Sequence, residues 1–429
     1  MNEIVASVIF FGSLVLIFTE KLHRTTVALV GAGLMVGSGL LLGFYSEQEA
    51  FLAIDFTTLG LLFGMMVLVA LLQPTGFFEY LAIQAGRLSK GEPAKLLILL
   101  GTVTTILSMF LDNVTTVVLI APITILICEI LDLNPIPFLM GEALLSNTGG
   151  AGTLVGDPPN VLIGSAVPLS FNDFLTHALP VVIVTWLLAL GLLLFLFRAE
   201  LKSRPEMAER IRQVDPTRAL VDPVNARRVL LVLAGTVLLF FTHHLLHISS
   251  AFIALAAASL ALVWVRPDDM EVVLERVEWS VMVFFGALFV MVGGLESAGV
   301  LHRAAELVSG LADINLIVFG VGMIWIIAIL SSIVDNVPIT IALIPIIQGL
   351  AETGINTQPL WWALVFGAGF GGNGTIIGST ANIVVVSISE KTRRPITAML
   401  WSRRGLPVMI LACFVSSVLY AIFFTWFSR

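Results

Sequence analysis

Long apolar runs separated by short polar ones divide the chain, and most have the roughly 17 to 25 residues that a helix needs to cross a bilayer. They fall near 3–20, 26–45, 56–73, 137–168 and 177–198, and again near 229–246, 250–265, 279–296, 359–388 and 405–427. The fourth run of each set is longer than one span and is interrupted by glycines, so it reads as a broken helix. Ahead of it in each set lie two shorter apolar segments, 96–111 with 114–130 and 313–334 with 337–350. Each pair meets at an Asp-Asn dipeptide, the economical signature of a helical hairpin that enters the membrane and turns back. The pattern predicts an all-α polytopic membrane protein with five transmembrane helices and one re-entrant hairpin in each half.

The two halves share wording as well as pattern. Asp112-Asn113-Val114 with Pro122 returns as Asp335-Asn336-Val337 with Pro345, about 223 residues later. Gly149-Gly150-Ala151-Gly152-Thr153 through Asn160 returns as Gly371-Gly372-Asn373-Gly374-Thr375 through Asn382, about 222 residues later. Polar, glycine-rich interruptions at matching points of a duplicated membrane chain are the mark of a secondary transporter whose site lies between them. The repeat divides the chain into a first half at 1–198, a linker at 199–228 and a second half at 229–429. Residues 206 to 212 within the linker read as one short helix.

Composition agrees: 58% of residues are hydrophobic and 12% charged, with a mean hydropathy of +1.02, whereas a soluble domain carries about 25% charged residues. No nucleic-acid partner is implied. The two cysteines, Cys128 and Cys413, form neither a disulfide framework nor a metal motif and read as packing residues. His243, His244 and His247 read as interfacial polar surface, so no metal is expected. The N-terminus lacks a basic leader and reads as a retained span, not a signal peptide.

Placement of Lys and Arg sets the orientation. With both termini outside, Lys21, Arg24, Arg87, Lys90, Lys95, Arg198 and the linker fall on the cytoplasmic side of the plasma (inner) membrane. So do Arg266, Arg276, Lys391, Arg403 and Arg404, which leaves Arg303 and Arg429 outside. An odd number of crossings per half makes the repeats inverted.

Asp112 and Asp335 interrupt apolar runs, where an unpaired carboxylate costs about 2.5–3.5 kcal/mol on insertion scales. They are candidate proton or cation carriers, or caps for the helices that follow. Asp157 lies in the first glycine-rich break just before two prolines, and its counterpart is Ser379, so the site is pseudosymmetric with an extra acid on one side. Glu142 has no acidic counterpart and is a further candidate for coupling. Candidate substrate ligands are Asn113, Thr115, Asn147, Thr153 and Asn160 in the first half, with Asn336, Asn373, Thr375, Ser379 and Asn382 in the second. No Lys or Arg falls within a motif, and a site without a fixed cation suits a proton, a cation or a neutral hydroxylated solute.

The strings Leu111-Asp112-Asn113-Val114-Thr115-Thr116, Asn147-Thr148-Gly149-Gly150 and Gly156-Asp157-Pro158-Pro159-Asn160 resemble the signature of the ArsB/NhaD-type permeases of the ion transporter superfamily. The subgroup in view is the one containing the melanosomal P protein. The resemblance implies a scaffold and a transport domain built from inverted repeats, elevator-type alternating access and a homodimer. It leads to the expectation of proton-coupled efflux of arsenite and antimonite, with sodium/proton antiport as the alternative and anion or carboxylate transport behind it. No cofactor is expected beyond the coupling ion, H+ or Na+. An ATPase subunit would be a separate chain, since this one has no Gly-x-x-x-x-Gly-Lys-Ser/Thr loop. An intramembrane aspartyl protease is the remote enzymatic reading, weakened because Leu154-Val155-Gly156 precedes Asp157 where that class has Gly-x-Gly.

Overall fold

The computed structural model describes residues 1–428 except 19–21, 168, 203–214, 247, 301–302, 304–314 and 393–394. The expected helix at 206–212 lies outside the described residues, as do the side chains of His243, His244 and His247. Every regular element described is a helix, and eight helices are long and apolar enough to cross a membrane. This is a multi-pass membrane protein.

The first half runs α1 (Asn2–Phe18), α2 (Arg24–Leu42), α3 (Glu47–Ala53), α4 (Phe56–Leu72) and α5 (Phe77–Leu88). The hairpin follows as α6 (Pro93–Ser108) and α7 (Asn113–Leu131), and the broken span as α8 (Ile136–Gly150) and α9 (Pro158–Ala166). A final span, α10 (Phe171–Leu196), closes the half. The second half repeats this as α11 (Pro223–Leu246), α12 (Ser250–Val265), α13 (Trp279–Ser297), hairpin α14 (Leu316–Ile333) and α15 (Asn336–Glu352), broken span α16 (Gln358–Gly371) and α17 (Thr380–Ser389), and α18 (Ala398–Ile422). Arg303 donates to Glu3 at 2.7 Å, which brings these two residues of opposite halves together.

Packing sorts these helices into two bodies. In the first, α4 lies along α12 and α2 along α13, two pairings related by the repeat, with α1 and α11 beside them. In the second, α6 lies along α8 and α14 along α16, again related by the repeat. There α10 packs on α18, α7 on α17 and α9 on α15. The bodies meet where α9 touches α4, where α15 touches α13 and where the start of α10 touches α11.

The breaks are positioned by local chemistry. Pro158 and Pro159 occupy the first turn of α9, where a missing N–H costs nothing, and leave residues 151–157 irregular. Irregular backbone at membrane depth persists only if its polar groups are paired. The Asn160 amide donates to the carbonyls of Gly150 (3.1 Å) and Thr153 (2.8 Å), and Asn382 does the same to Gly372 (2.7 Å) and Thr375 (2.9 Å). The Thr153 hydroxyl donates to the Met109 carbonyl and the Thr375 hydroxyl to that of Ser332, fastening each break to the end of a hairpin arm. Gly156 crosses that arm so closely that a Cβ there would sit 2.6 Å from the Ser108 carbonyl. At Gly378 it would be 3.0 Å from that of Ser331.

Candidate functional site

Both hairpin tips and both breaks converge on one buried polar cluster. Asp112 caps α7, accepting from the backbone N–H groups of Val114 (2.8 Å) and Thr115 (3.0 Å), and Asp335 caps α15 through Val337 (3.3 Å). Capping and a place at the site coexist, because both carboxylates also line a small cavity.

The next residue in each tip turns inward. The Asn113 amide donates to Asn147 Oδ1 (3.1 Å) and Asp157 Oδ1 (3.4 Å), while Asn336 donates to both oxygens of Asp157 (3.3 and 3.1 Å). Asp157, 1% exposed, is therefore where the two hairpins meet. On the opposite break, its counterpart Ser379 donates to Asn147 Oδ1 at 3.0 Å. Asn147 in turn donates to Asn373 Oδ1 (3.1 Å) and Asn382 Oδ1 (2.9 Å), and Asn373 to the Thr148 hydroxyl (3.1 Å). The amides are mutually satisfied, as buried polar groups must be.

A cavity of about 50 Å3 opens beside Asp157, lined among others by Asp112, Asn113, Asp335, Asn336, Ser379 and Thr380. At roughly 10–15 Å3 per water it holds a few water molecules.

Several expected ligands are committed elsewhere. The hydroxyls of Thr153 and Thr375 and the amides of Asn160 and Asn382 hold the broken backbone. The Thr115 hydroxyl lies between Asp112 and Glu278, donating to the latter at 2.7 Å. Glu142 does not line the cavity: it is fully buried on α8, accepts from Thr124, and its second oxygen has no partner. Both cysteines are buried and free.

The expectation of a site without a fixed cation is corrected by Arg24. Read from sequence as a cytoplasmic anchor, it lines the cavity from the first turn of α2. Its Nη1 lies 3.5 Å from Asp335 Oδ2 and 3.3 Å from the Thr380 hydroxyl, which itself donates to Asp335 at 2.6 Å. Its guanidinium carbon stands 5.5 Å from the Phe284 ring centroid. Glu278, at the head of α13, is the second residue that motif reading missed. Its signal was present, because Glu278-Trp279-Ser280 repeats Asp55-Phe56-Thr57 at the same 223-residue spacing. Among the described residues no group of three His, Cys, Asp or Glu side chains is arranged to hold a metal ion.

Comparison with known proteins places the chain. Residues 14–367 match the family described as CitMHS: Citrate transporter. A 46 kDa membrane protein of Mycobacterium leprae is 36% identical over 427 residues, covering 97% of each chain, and an uncharacterized transporter of Mycobacterium tuberculosis is 38% identical over 430, also covering 97% of each. The P protein of Homo sapiens is 32% identical over 491 residues, spanning 96% of this chain and 59% of its own. Among solved structures, the YdaH transporter of Alcanivorax borkumensis shares the fold, with a TM-score of 0.66 at 16% identity over 94% of this chain and 99% of that one.

Proposed function

The chain belongs to the CitMHS citrate-transporter family and is a secondary transporter, and from that premise we propose proton-coupled movement of a small hydroxylated solute by an elevator mechanism. The family is one of transporters, which leaves the protease reading without support. The observation that carries the proposal is the charge balance of the cavity: Asp112, Asp157, Glu278 and Asp335 face one guanidinium, that of Arg24. Such a cavity disfavours a free polyanion and favours a proton, a monovalent cation or a neutral solute. Asp157, held between the amides of both hairpin tips, is the group placed to exchange a coupling ion without leaving the site.

Trivalent arsenic and antimony hydroxides are uncharged near neutral pH, and the amides of Asn113, Asn147, Asn336 and Asn373, with the Ser379 hydroxyl, offer them donors and acceptors. These groups bond one another here, so the solute must replace those bonds on entry. The two helix bodies support the elevator: the hydrogen-bonded amides and Asp157 belong to the second body, and the first faces them with an apolar wall of Leu62, Met66, Val281, Phe284 and Phe285 and the charged helix ends Arg24 and Glu278. We place the linker in the cytoplasm and both termini outside. Sodium/proton antiport uses the same carboxylates with sodium as the exchanged ion.

A second reading, transport of a carboxylate, rests on Arg24 and on the description of the family. Proteoliposomes with an internal pH dye, challenged separately with arsenite, antimonite, sodium and citrate, separate the readings. The leading one requires a pH change with arsenite or antimonite that Asp157→Asn abolishes. Under it, Arg24→Gln changes the apparent KM no more than about threefold. A response to citrate alone, with KM raised tenfold or more by Arg24→Gln, sinks it in favour of the carboxylate.

A further inference from the structure

The first helix body carries two carboxylates at equivalent places, Asp55 at the head of α4 and Glu278 at the head of α13, 223 residues apart. Their surroundings differ. The Ser165 hydroxyl, at the far end of α9, donates to Asp55, so α9 is fastened to α4. The counterpart of Ser165 at the 222-residue spacing of the breaks is Ser387 on α17. Ser387 is exposed, and Glu278 takes a bond instead from Thr115 at a hairpin tip. In keeping with this, α9 packs on α4 more closely than α17 packs on α13. A cavity of about 290 Å3 lies at the Asp55 end, lined by Ser165, Glu296, Ile341, Ile344 and Gln348, against about 50 Å3 at the Glu278 end.

From this inequality between equivalent parts, we infer that Asp55–Ser165 and Glu278–Ser387 are two alternating latches, and that Ser165 and Ser387 are positioning residues for transport. The inference rests on the elevator reading proposed above. In the present state the first latch is closed and the hairpin tips stand at Glu278. In the opposite state the halves exchange roles: Ser165 leaves Asp55, the tips move toward the larger cavity, and Ser387 arrives at Glu278. The stroke follows from helix geometry. Thr380, at the head of α17, lines the cavity shared with Glu278, and Ser387 lies seven residues further along the same helix. At 1.5 Å per residue, α17 slides past α13 by about 10 Å. The latches are hydrogen bonds from hydroxyl to carboxylate, strong enough to define an end state and weak enough to be exchanged.

The test is disulfide trapping in the full-length chain in membranes, with Cys128 and Cys413 replaced by Ala. Three pairs are oxidised and their linked peptides quantified by mass spectrometry: Asp55→Cys with Ser165→Cys, Thr115→Cys with Glu278→Cys, and Glu278→Cys with Ser387→Cys. The first two report the present state and show that the variants fold. The third is expected to form as well. When the first and third pairs are combined in one chain, each molecule carries one bond or the other. Absence of the 278–387 bond under conditions where 115–278 forms overturns the inference, and so do molecules carrying both bonds of the combined chain. Trapping requires no transported solute, so failure of every flux assay would leave this result readable.

Discussion

Gly371 ends α16 where that helix lies against α14, and its hydrogen is what permits the approach. A Cβ at this position would stand 2.6 Å from the Cα of Ala328, 2.7 Å from its carbonyl oxygen and 2.8 Å from the Ser331 Cβ. Two of those three atoms are backbone, so the helices themselves must part. Overpacking of this kind costs about 1–3 kcal/mol, against a helix-propensity gain of at most about 1 kcal/mol for Gly→Ala. The net expectation for Gly371→Ala is a loss of about 1–2 kcal/mol, seen as a fall of a few degrees in thermal unfolding followed by tryptophan fluorescence in detergent. Its counterpart Gly149 faces the Thr105 side chain, with Cγ2 at 2.4 Å and the backbone oxygen only at 3.3 Å. Gly149→Ala should cost less, because a side chain can turn. Gly33 on α2 has nothing within 4 Å, and Gly33→Ala should be neutral or mildly stabilising. Flux should fall further with Gly371→Ala than the stability loss alone explains, since parting α16 from α14 displaces Asn373 and Asn382. Unfolding of Gly371→Ala within half a degree of the parent, or an equal fall with Gly33→Ala, would refute the packing argument.

Three further outcomes follow from the structure. Asn160→Ala takes the amide donor from the Thr153 carbonyl and leaves that of Gly150 a long bond from the Thr153 N–H (3.5 Å), and Asn382→Ala does the same to Gly372 and to Thr375, which keeps the Gly378 N–H at 3.4 Å. At about 1–3 kcal/mol per orphaned group, both should lower the unfolding temperature, and the double variant should fail to accumulate in membranes. Glu142→Gln preserves an acceptor for Thr124 and the side-chain volume, so the protein should remain monodisperse; loss of proton-coupled flux would make Glu142 part of the coupling path, and flux within twofold of the parent would make it structural. Outside the membrane spans, the Ser46 backbone N–H and hydroxyl hold the exposed Glu49 carboxyl below its usual range. A depressed folded-state pKa stabilises α3 above the unfolded value, and that contribution is lost as pH falls through the folded one. Hydrogen exchange at 46–53 should therefore show α3 fraying in acid, and Glu49→Gln should remove the dependence.

Features written locally were legible before the structure. Glycines followed by Pro158-Pro159 can only be a break, and α8 and α9 replace the single run 137–168 as that chemistry requires. The Asp-Asn dipeptides sit at hairpin tips because an acid followed by an apolar run is a capped helix. The amphipathic α5 escaped notice because Glu79, Gln84 and Arg87 lower the mean hydropathy of its window. Arg24 escaped for a different reason. Its partner Asp335 lies 311 positions away, and a basic residue at the start of a span is ordinarily a topology anchor, so nothing local distinguishes the two roles. Thr153 and Thr375 were expected as substrate ligands, yet their hydroxyls donate to the backbone carbonyls of Met109 and Ser332. Sequence shows which groups need partners but not which partners the fold supplies.

Had the duplicated halves remained identical, exchanging their conformations would leave the energy unchanged, and the two end states would be equally populated at rest. Any resting preference is then the sum of the positions at which the halves differ. The most consequential of these is Asp157 opposite Ser379, because both occupy the same point of the converging breaks. Exchanging them, Asp157→Ser together with Ser379→Asp, should reverse the preference and leave a working carrier, whereas either change alone should abolish coupling or double its charge. Under the alternating mechanism proposed above, the duplication would supply reversibility and the unmatched Asp157 would give the symmetric machine a handedness.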